Sequence, residues 1–458
     1  MSQASRREFL RRAAAFSLLR GAGPLGLQLA GIGAAAAASQ PEDYRAIVCL
    51  FMFGANDAHN TLVPLAPDAH ARYAEARSVL ALPRENLLAL GDTALGLHPS
   101  LAPLQTLFAN GKAAVLANVG PLIQPIPDAD TFRRTNIPRP PKLFSHNDQQ
   151  AIWQAFSPEG AKRGWGGRIA DMLAAQNGNA LFTAISASEN AVFLASDKTL
   201  QYQISPSGAI GFNRATASSI FGSPKGAEAL RAQILAGNKD LLDQEYGAVV
   251  ERSVDAYGLV STALARLPEN DPRVALPEDL ARNRLAQQLR IVSRLIGVRG
   301  DPALRQHRQV FFVSLGGFDT HDNELVKQAE LLDSVARSVA WFQQSMEALG
   351  TSDKVTLFTA SDFGRALLSN GDGSDHGWGG HHFIVGGAVR GGKVYGTFPD
   401  VALKTTTDVG NGRLLPTTAV DQYAATLARW MGVSESELPQ VLPNIGNFAS
   451  GNLGFMRT

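Results

Sequence analysis

The chain has 458 residues, with 42 lysines and arginines against 41 aspartates and glutamates, a formal net charge of +1, and one cysteine. That length admits one large α/β domain or two smaller ones. The near-balanced charge gives no basic field for nucleic acid or anionic lipid, and a single cysteine excludes an internal disulfide.

The chain opens Ser5-Arg6-Arg7-Glu8-Phe9-Leu10, a twin-arginine pattern. A mildly apolar stretch rich in glycine and alanine follows from Ala13 to about Ile32, then the small residues Ala34 to Ala38. A positive region, an apolar region and a small-residue site in that order predict an export signal over residues 1–38, cleaved near Ser39. The twin-arginine translocase is then a transient partner, and the expected location is periplasmic or secreted. Arg20 and the glycines make the stretch a poor spanning helix, so stable membrane insertion is not expected. Five arginines against Glu8 give the signal +4, which leaves about −3 for residues 39–458. Export of this kind suits proteins that fold, often around a cofactor, before crossing.

After the signal, short apolar runs alternate with helical patterns. Ala46–Phe53, Ala113–Val119, Gln309–Leu315, Val355–Ala360 and Phe383–Val385 read as buried strands. Cys49 lies inside the first and reads as core rather than nucleophile. Leu101–Asn110, Gln149–Ala155, Asn323–Leu349 and Thr418–Met431 read as helices. The proline-rich stretch Leu122–Pro141 reads as an extended surface loop. Gly222 to Gly300 reads as a helical insertion with no strand signal. Strands separated by helices predict an α/β fold with a mostly parallel sheet covered on both faces. In such sheets ligands bind beyond the carboxyl ends of the strands.

The polar residues gather at those ends. Gly54-Ala55-Asn56-Asp57-Ala58-His59-Asn60 follows the first strand, and Gly316-Gly317-Phe318-Asp319-Thr320-His321-Asp322-Asn323 follows the third. Ser361-Asp362-Phe363-Gly364-Arg365 follows the fourth, and Asp375, His376, His381 and His382 lie among the glycines of residues 373–382. Six of the nine histidines lie in or beside these loops and the Ser145-His146 segment. Carboxylates and imidazoles together hold divalent metal, and glycines let the backbone approach closely. A lone Asp57 or Asp362 after a strand is otherwise a helix cap. Ser145, in Phe144-Ser145-His146-Asn147-Asp148-Gln149-Gln150, has two readings: an N-cap, or a nucleophile at the positive helix end where an oxyanion also binds.

In order along the chain, these motifs resemble the bacterial domain-of-unknown-function-1501 family, grouped with the alkaline phosphatase and sulfatase superfamily. The specific ones are Thr359–Arg365, and Asp375–Phe383 followed by Gly386–Gly392. The resemblance implies a three-layer α/β/α sandwich and a centre of one or two divalent metals, zinc, manganese, calcium or magnesium. It implies Asp57, Asp319, His321, Asp362 and one of His376, His381 or His382 as metal ligands, Ser145 as nucleophile, and Asp333 as a further aspartate on the long helix. Phe363 stands where the superfamily carries histidine or asparagine, which leaves one metal or two unequal ones open. The implied activity is hydrolysis of phosphate or sulfate esters, of a small molecule or a polymer. In it Ser145 attacks in line, and Arg365 or His146 stabilises charge or protonates the leaving group. Two rivals stand beside it: an inactive envelope binding or assembly protein on the same fold, and a glycosidase using paired carboxylates.

Overall fold

A computed structural model describes residues 43–211, 216–235 and 241–457. The expected export signal lies outside them. Strand β1 (Arg45–Phe53) is a continuous apolar run, RAIVCLFMF, buried through its interior. Such a run, with no polar alternation, belongs in the middle of a sheet covered on both faces. Helices α1 (Pro67–Arg77) and α2 (Ala102–Ala109) follow, leading to the fully buried β2 (Ala113–Gly120). Next come α3 (His146–Ala155) and α4 (Trp165–Leu173), then the short strands β3 (Ala184–Ser186), β4 (Tyr202–Ser205) and β5 (Gly208–Ala209). Helices α5 (Pro224–Leu235), α6 (Leu241–Ala265) and α7 (Arg284–Gly297) precede β6 (Arg308–Gly316). The long α8 (Glu324–Ala348) leads to β7 (Val355–Ser361). A hairpin of β8 (Arg365–Ser369) and β9 (Ser374–His376) runs into β10 (Gly380–Val385). The chain finishes with β11 (Val394–Tyr395), β12 (Thr418–Ala419) and α9 (Val420–Met431).

The main sheet has ten strands in the order β11-β2-β10-β7-β1-β6-β3-β4-β5, with β12 also on β2. Beside β1 run the parallel β6, Arg45 opposite Arg308, and β7, Ala46 opposite Val355. The carboxyl ends of β1, β6 and β7 therefore emerge together. Strand β10 departs from the expected parallel order, running antiparallel to both β7 and β2. The cause is its connection. A hairpin, not a helix, lies between β7 and β10, so the chain returns against its own direction and Gly380, His381 and His382 start at the same sheet edge.

Ile47, Cys49 and Phe51 of β1 pack beneath α4 and α9 in one buried cluster. The thiol of Cys49 is buried there, which drives its pKa far up and leaves it inert. Helix α7 packs on β6 and α8, its apolar face from Leu285 to Ile296 buried. The stretch Leu122–Pro141 is not simply an exposed loop. Leu122 and Ile126 are buried in one cluster with Trp378, and Asp128 caps a helical turn over Ala129–Arg133. Among the described residues no helix is long and apolar enough to cross a membrane.

Candidate metal centre

Three loops meet beyond β1, β6 and β7. Gly54 has φ +109°, a conformation only glycine adopts readily. A β-carbon there would lie 2.4 Å from the Asp319 nitrogen, so the loop after β6 can press against the loop after β1. Asp362 follows β7 and is fully buried. One carboxylate oxygen accepts from Gly54 N–H (3.2 Å), and the other from Gln150 Nε2 (2.8 Å) and His146 Nδ1 (2.7 Å). Helix α3 thus enters the site through His146, its first residue.

The remaining nitrogen of His146, Nε2, faces Nε2 of His376 at 3.0 Å and Asp319 Oδ1 at 3.4 Å. Nε2 of His376 lies 3.5 Å from the same Asp319 oxygen. His321 joins with its Nε2 3.0 Å from both Asp319 Oδ1 and His376 Nε2. His146, Asp319 and His376 each present one ligand atom, all within 4.8 Å of one another.

The protons decide what this cluster can hold. His376 Nδ1 lies 2.7 Å from the Phe144 carbonyl oxygen, which can only accept, so Nδ1 carries the hydrogen. Nδ1 of His146 faces the Asp362 carboxylate and must likewise donate. In the neutral imidazoles both Nε2 atoms are then bare lone pairs aimed at each other and at a carboxylate oxygen. One shared proton could relieve one pair. One cation bonded at 2.0–2.1 Å relieves all, because tetrahedral ligand atoms at that radius lie about 3.3–3.4 Å apart. An imidazole whose second nitrogen donates to a carboxylate or carbonyl is also the usual form of a metal-binding histidine. The residues present fit a divalent cation.

Hydrogen bonding and burial shift the groups of the cluster in different directions. Hydrogen bonding to Asp362 raises the His146 pKa above its ordinary value against the effect of burial, whereas burial lowers that of His376. Burial pushes the Asp319 pKa upward, but Arg365 and the flanking imidazoles outweigh it and hold the carboxyl below the usual range. Arg365 is fully buried and fully engaged: Nη1 donates to Asp319 Oδ1 (3.0 Å) and Nε to Ser374 Oγ (3.0 Å). Its guanidinium holds Asp319 in place and is not open to a ligand. Phe363 packs with its ring centroid 4.9 Å from the rings of both His146 and His376, tilted against each, where a ligand was expected.

The other expected site residues have partners of their own. Asp57 accepts from His59 N–H at the start of the turn Ala58–Thr61 and pairs with the buried Arg77, which also holds Glu324 at 2.8 Å. Ser374 Oγ donates to the same Glu324, so Asp57, Arg77, Glu324, Ser374, Arg365 and Asp319 form one connected polar chain. His381 and His382 are buried on β10. His381 accepts from Asn118 N–H (3.0 Å), His382 lies 3.3 Å from the Thr359 hydroxyl, and burial pulls both imidazoles down to about 3. Asp333 pairs with Arg337 on α8. Ser145 occupies the N-cap position of α3, but its hydroxyl makes no cap bond and donates instead to Asp148 Oδ2 (2.9 Å). Arg77, Glu324 and Ser374 carry no sequence signal, whereas Gln150 closes the Ser145–Gln150 segment, four residues beyond His146 and so on the same helix face.

Residues 279–442 match the model of a family described as "Protein of unknown function (DUF1501)". The matched span carries Asp319, His321, Asp362, Arg365 and His376, and stops short of Ser145 and His146. No curated protein matches the chain significantly. Among solved structures it is similar to Ps i-CgsB in complex with k-i-k-neocarrahexaose, at 11% identity and TM-score 0.37 over 88% of this chain and 76% of that one. It is also similar to the lipoteichoic acid synthase LtaP from Listeria monocytogenes, at 9% and 0.34 over 86% and 73%. The lipooligosaccharide phosphoethanolamine transferase A (EptA) from Neisseria meningitidis matches at 8% and 0.34 over 99% and 68%. These likenesses are loose, and the fold described above rests on the chain's own strand order.

Proposed function

We propose that the chain is an exported, metal-dependent hydrolase of phosphate or sulfate esters, of the domain-of-unknown-function-1501 family and on the three-layer α/β/α sandwich of the alkaline phosphatase superfamily. The observation that carries the reading is the convergence of the bare Nε2 atoms of His146 and His376 on Asp319 Oδ1. Those three residues, with His321 beside them, hold one divalent cation. The nitrogen-rich set favours zinc over calcium or magnesium, which prefer all-oxygen shells. When bound, the metal polarises the ester oxygens and offsets negative charge as it builds.

The chain's own groups supply the rest. Asp362 fixes the His146 tautomer, and Arg365 fixes Asp319. Ser145, one residue before a metal-binding histidine, is the nucleophile. Its Oγ bonds to phosphorus or sulfur as the ester oxygen leaves, and its proton passes to Asp148 and on to the departing alkoxide. Water then hydrolyses the serine ester. The twin-arginine pattern of residues 1–38 supports a site of action outside the cytoplasm.

Turnover of 4-nitrophenyl phosphate and 4-nitrophenyl sulfate by the zinc-loaded mature protein tests the reading. Hydrolysis of either that is abolished in both Asp319→Asn and Ser145→Ala, with zinc retained only in the latter, supports it. Full metal loading without turnover of any ester would leave the inactive binding protein.

A further inference from the structure

Arg413 stands apart from the other arginines at this site. Arg77 and Arg365 are each paired with two carboxylates, Arg77 with Asp57 and Glu324 and Arg365 with Asp319 and Glu324. Arg413 is half-buried, and among the described residues no carboxylate pairs with it. Its guanidinium is nevertheless fixed in place. Nε donates to the His376 carbonyl (2.9 Å), and the group lies over the Phe144 ring at 4.7 Å. Both contacts are to residues that build the cluster: His376 supplies an Nε2, and the Phe144 carbonyl sets that imidazole's tautomer.

The loop behind it is equally fixed. Arg413 N–H donates to the Gly410 carbonyl (3.1 Å), and the Gly412 carbonyl accepts from Leu367 N–H (3.0 Å) on β8. Gly412 has φ +73°, and a β-carbon there would lie 2.5 Å from Leu367 Cβ, so the turn is seated tightly on the hairpin. Nε and the stacked face are used, while the two terminal amino groups are not bound to any carboxylate. A partly desolvated, unpaired guanidinium with a free fork is costly unless an anion meets it. Its planar pair of donors matches two oxygens of a tetrahedral oxyanion.

We infer that Arg413 is the substrate-anion anchor of this site, holding non-bridging oxygens of a phosphoryl or sulfuryl group against the cluster at its Phe144–Ser145 side. This assignment deepens the hydrolase reading and rests on it for the identity of the neighbouring cation. It separates the roles of the two conspicuous arginines: Arg365 positions a carboxylate, and Arg413 touches substrate.

The test is calorimetric titration of inorganic phosphate, and separately of sulfate, into the mature protein with and without zinc. Wild type, Arg413→Ala and Arg413→Lys are compared, with zinc content and thermal midpoint measured on the same samples. The expected result is phosphate or sulfate binding weakened about tenfold or more in Arg413→Ala, partly recovered in Arg413→Lys, at unchanged zinc content. In turnover the same change raises KM for aryl ester while zinc stays bound. Equal affinity in wild type and Arg413→Ala overturns the assignment, as does failure of zinc-loaded wild type to bind either anion at millimolar concentration. A wild type that takes up no zinc yet binds phosphate through Arg413 removes the metal reading and leaves the anchor standing. Should Arg413→Ala not fold, Arg413→Lys and Arg413→Gln carry the same comparison.

Discussion

At the scale of single residues, metal binding depends on which imidazole nitrogen carries a hydrogen. Asp362 holds the Nδ1 hydrogen of His146. In Asp362→Asn the amide can present its NH₂ instead, favouring the other tautomer and a protonated Nε2. Zinc affinity, measured by competition with a chromophoric chelator, is expected to fall about 10–100-fold. An unchanged affinity would mean that Asp362 does not orient His146. Arg77 offers a contrasting case. Replacing it with methionine leaves the buried Asp57 and Glu324 carboxyls facing each other without a cation. Urea unfolding is expected to report a loss of about 3–5 kcal/mol. The residue types of the site were legible in the sequence, because carboxylates and imidazoles after apolar strands have few other uses in such number. Their division of labour was not legible. Asp57 and Asp319 look equivalent in sequence, and only the folded position of Arg77 diverts Asp57 into a buried ion pair.

At the scale of elements, the strands that build the site were legible because buried parallel strands are unbroken apolar runs, as in Ala113–Gly120 and Val355–Ser361. The short strands Ala184–Ser186 and Val394–Tyr395 carry too few residues for any period to register. The reversed direction of β10 was hidden as well, since its short apolar run Phe383–Val385 reads the same either way. The hairpin before it contributes His376 and depends on glycine. A β-carbon on Gly373 would lie 2.2 Å from the His321 carbonyl carbon. Gly373→Ala must therefore push the hairpin off the His321 loop, lowering both zinc affinity and the thermal midpoint. A variant with wild-type values for both would show that the two loops move independently.

At the scale of the whole molecule, buried titratable groups set the pH range of stability. Burial holds His59, His381 and His382 down to about 3 and His98 to about 4, so they are neutral in the folded chain. A depressed histidine pKa stabilises fully above the ordinary value near 6.5, and that stability drains away as pH falls toward 3–4. Burial raises Asp421 to about 7. Its contribution has the opposite sign, complete below the usual carboxylate range and lost as pH climbs to 7. Burial and the nearby Asp57 push Glu324 the same way as Asp421. Stability from urea unfolding should therefore fall steeply on acidification below about pH 6 and decline more gently toward neutral pH. A curve rising below pH 5 would contradict this set of neutral histidines.

The central claim is that this fold assembles one metal centre from His146, Asp319 and His376. Elemental analysis of the purified mature protein, beside His376→Ala, tests it most directly. About one zinc or other divalent transition metal is expected per wild-type chain, with that metal lost in His376→Ala and the fold retained by circular dichroism. A folded wild type that holds no metal after loading, or a His376→Ala variant that binds as tightly as wild type, would contradict it.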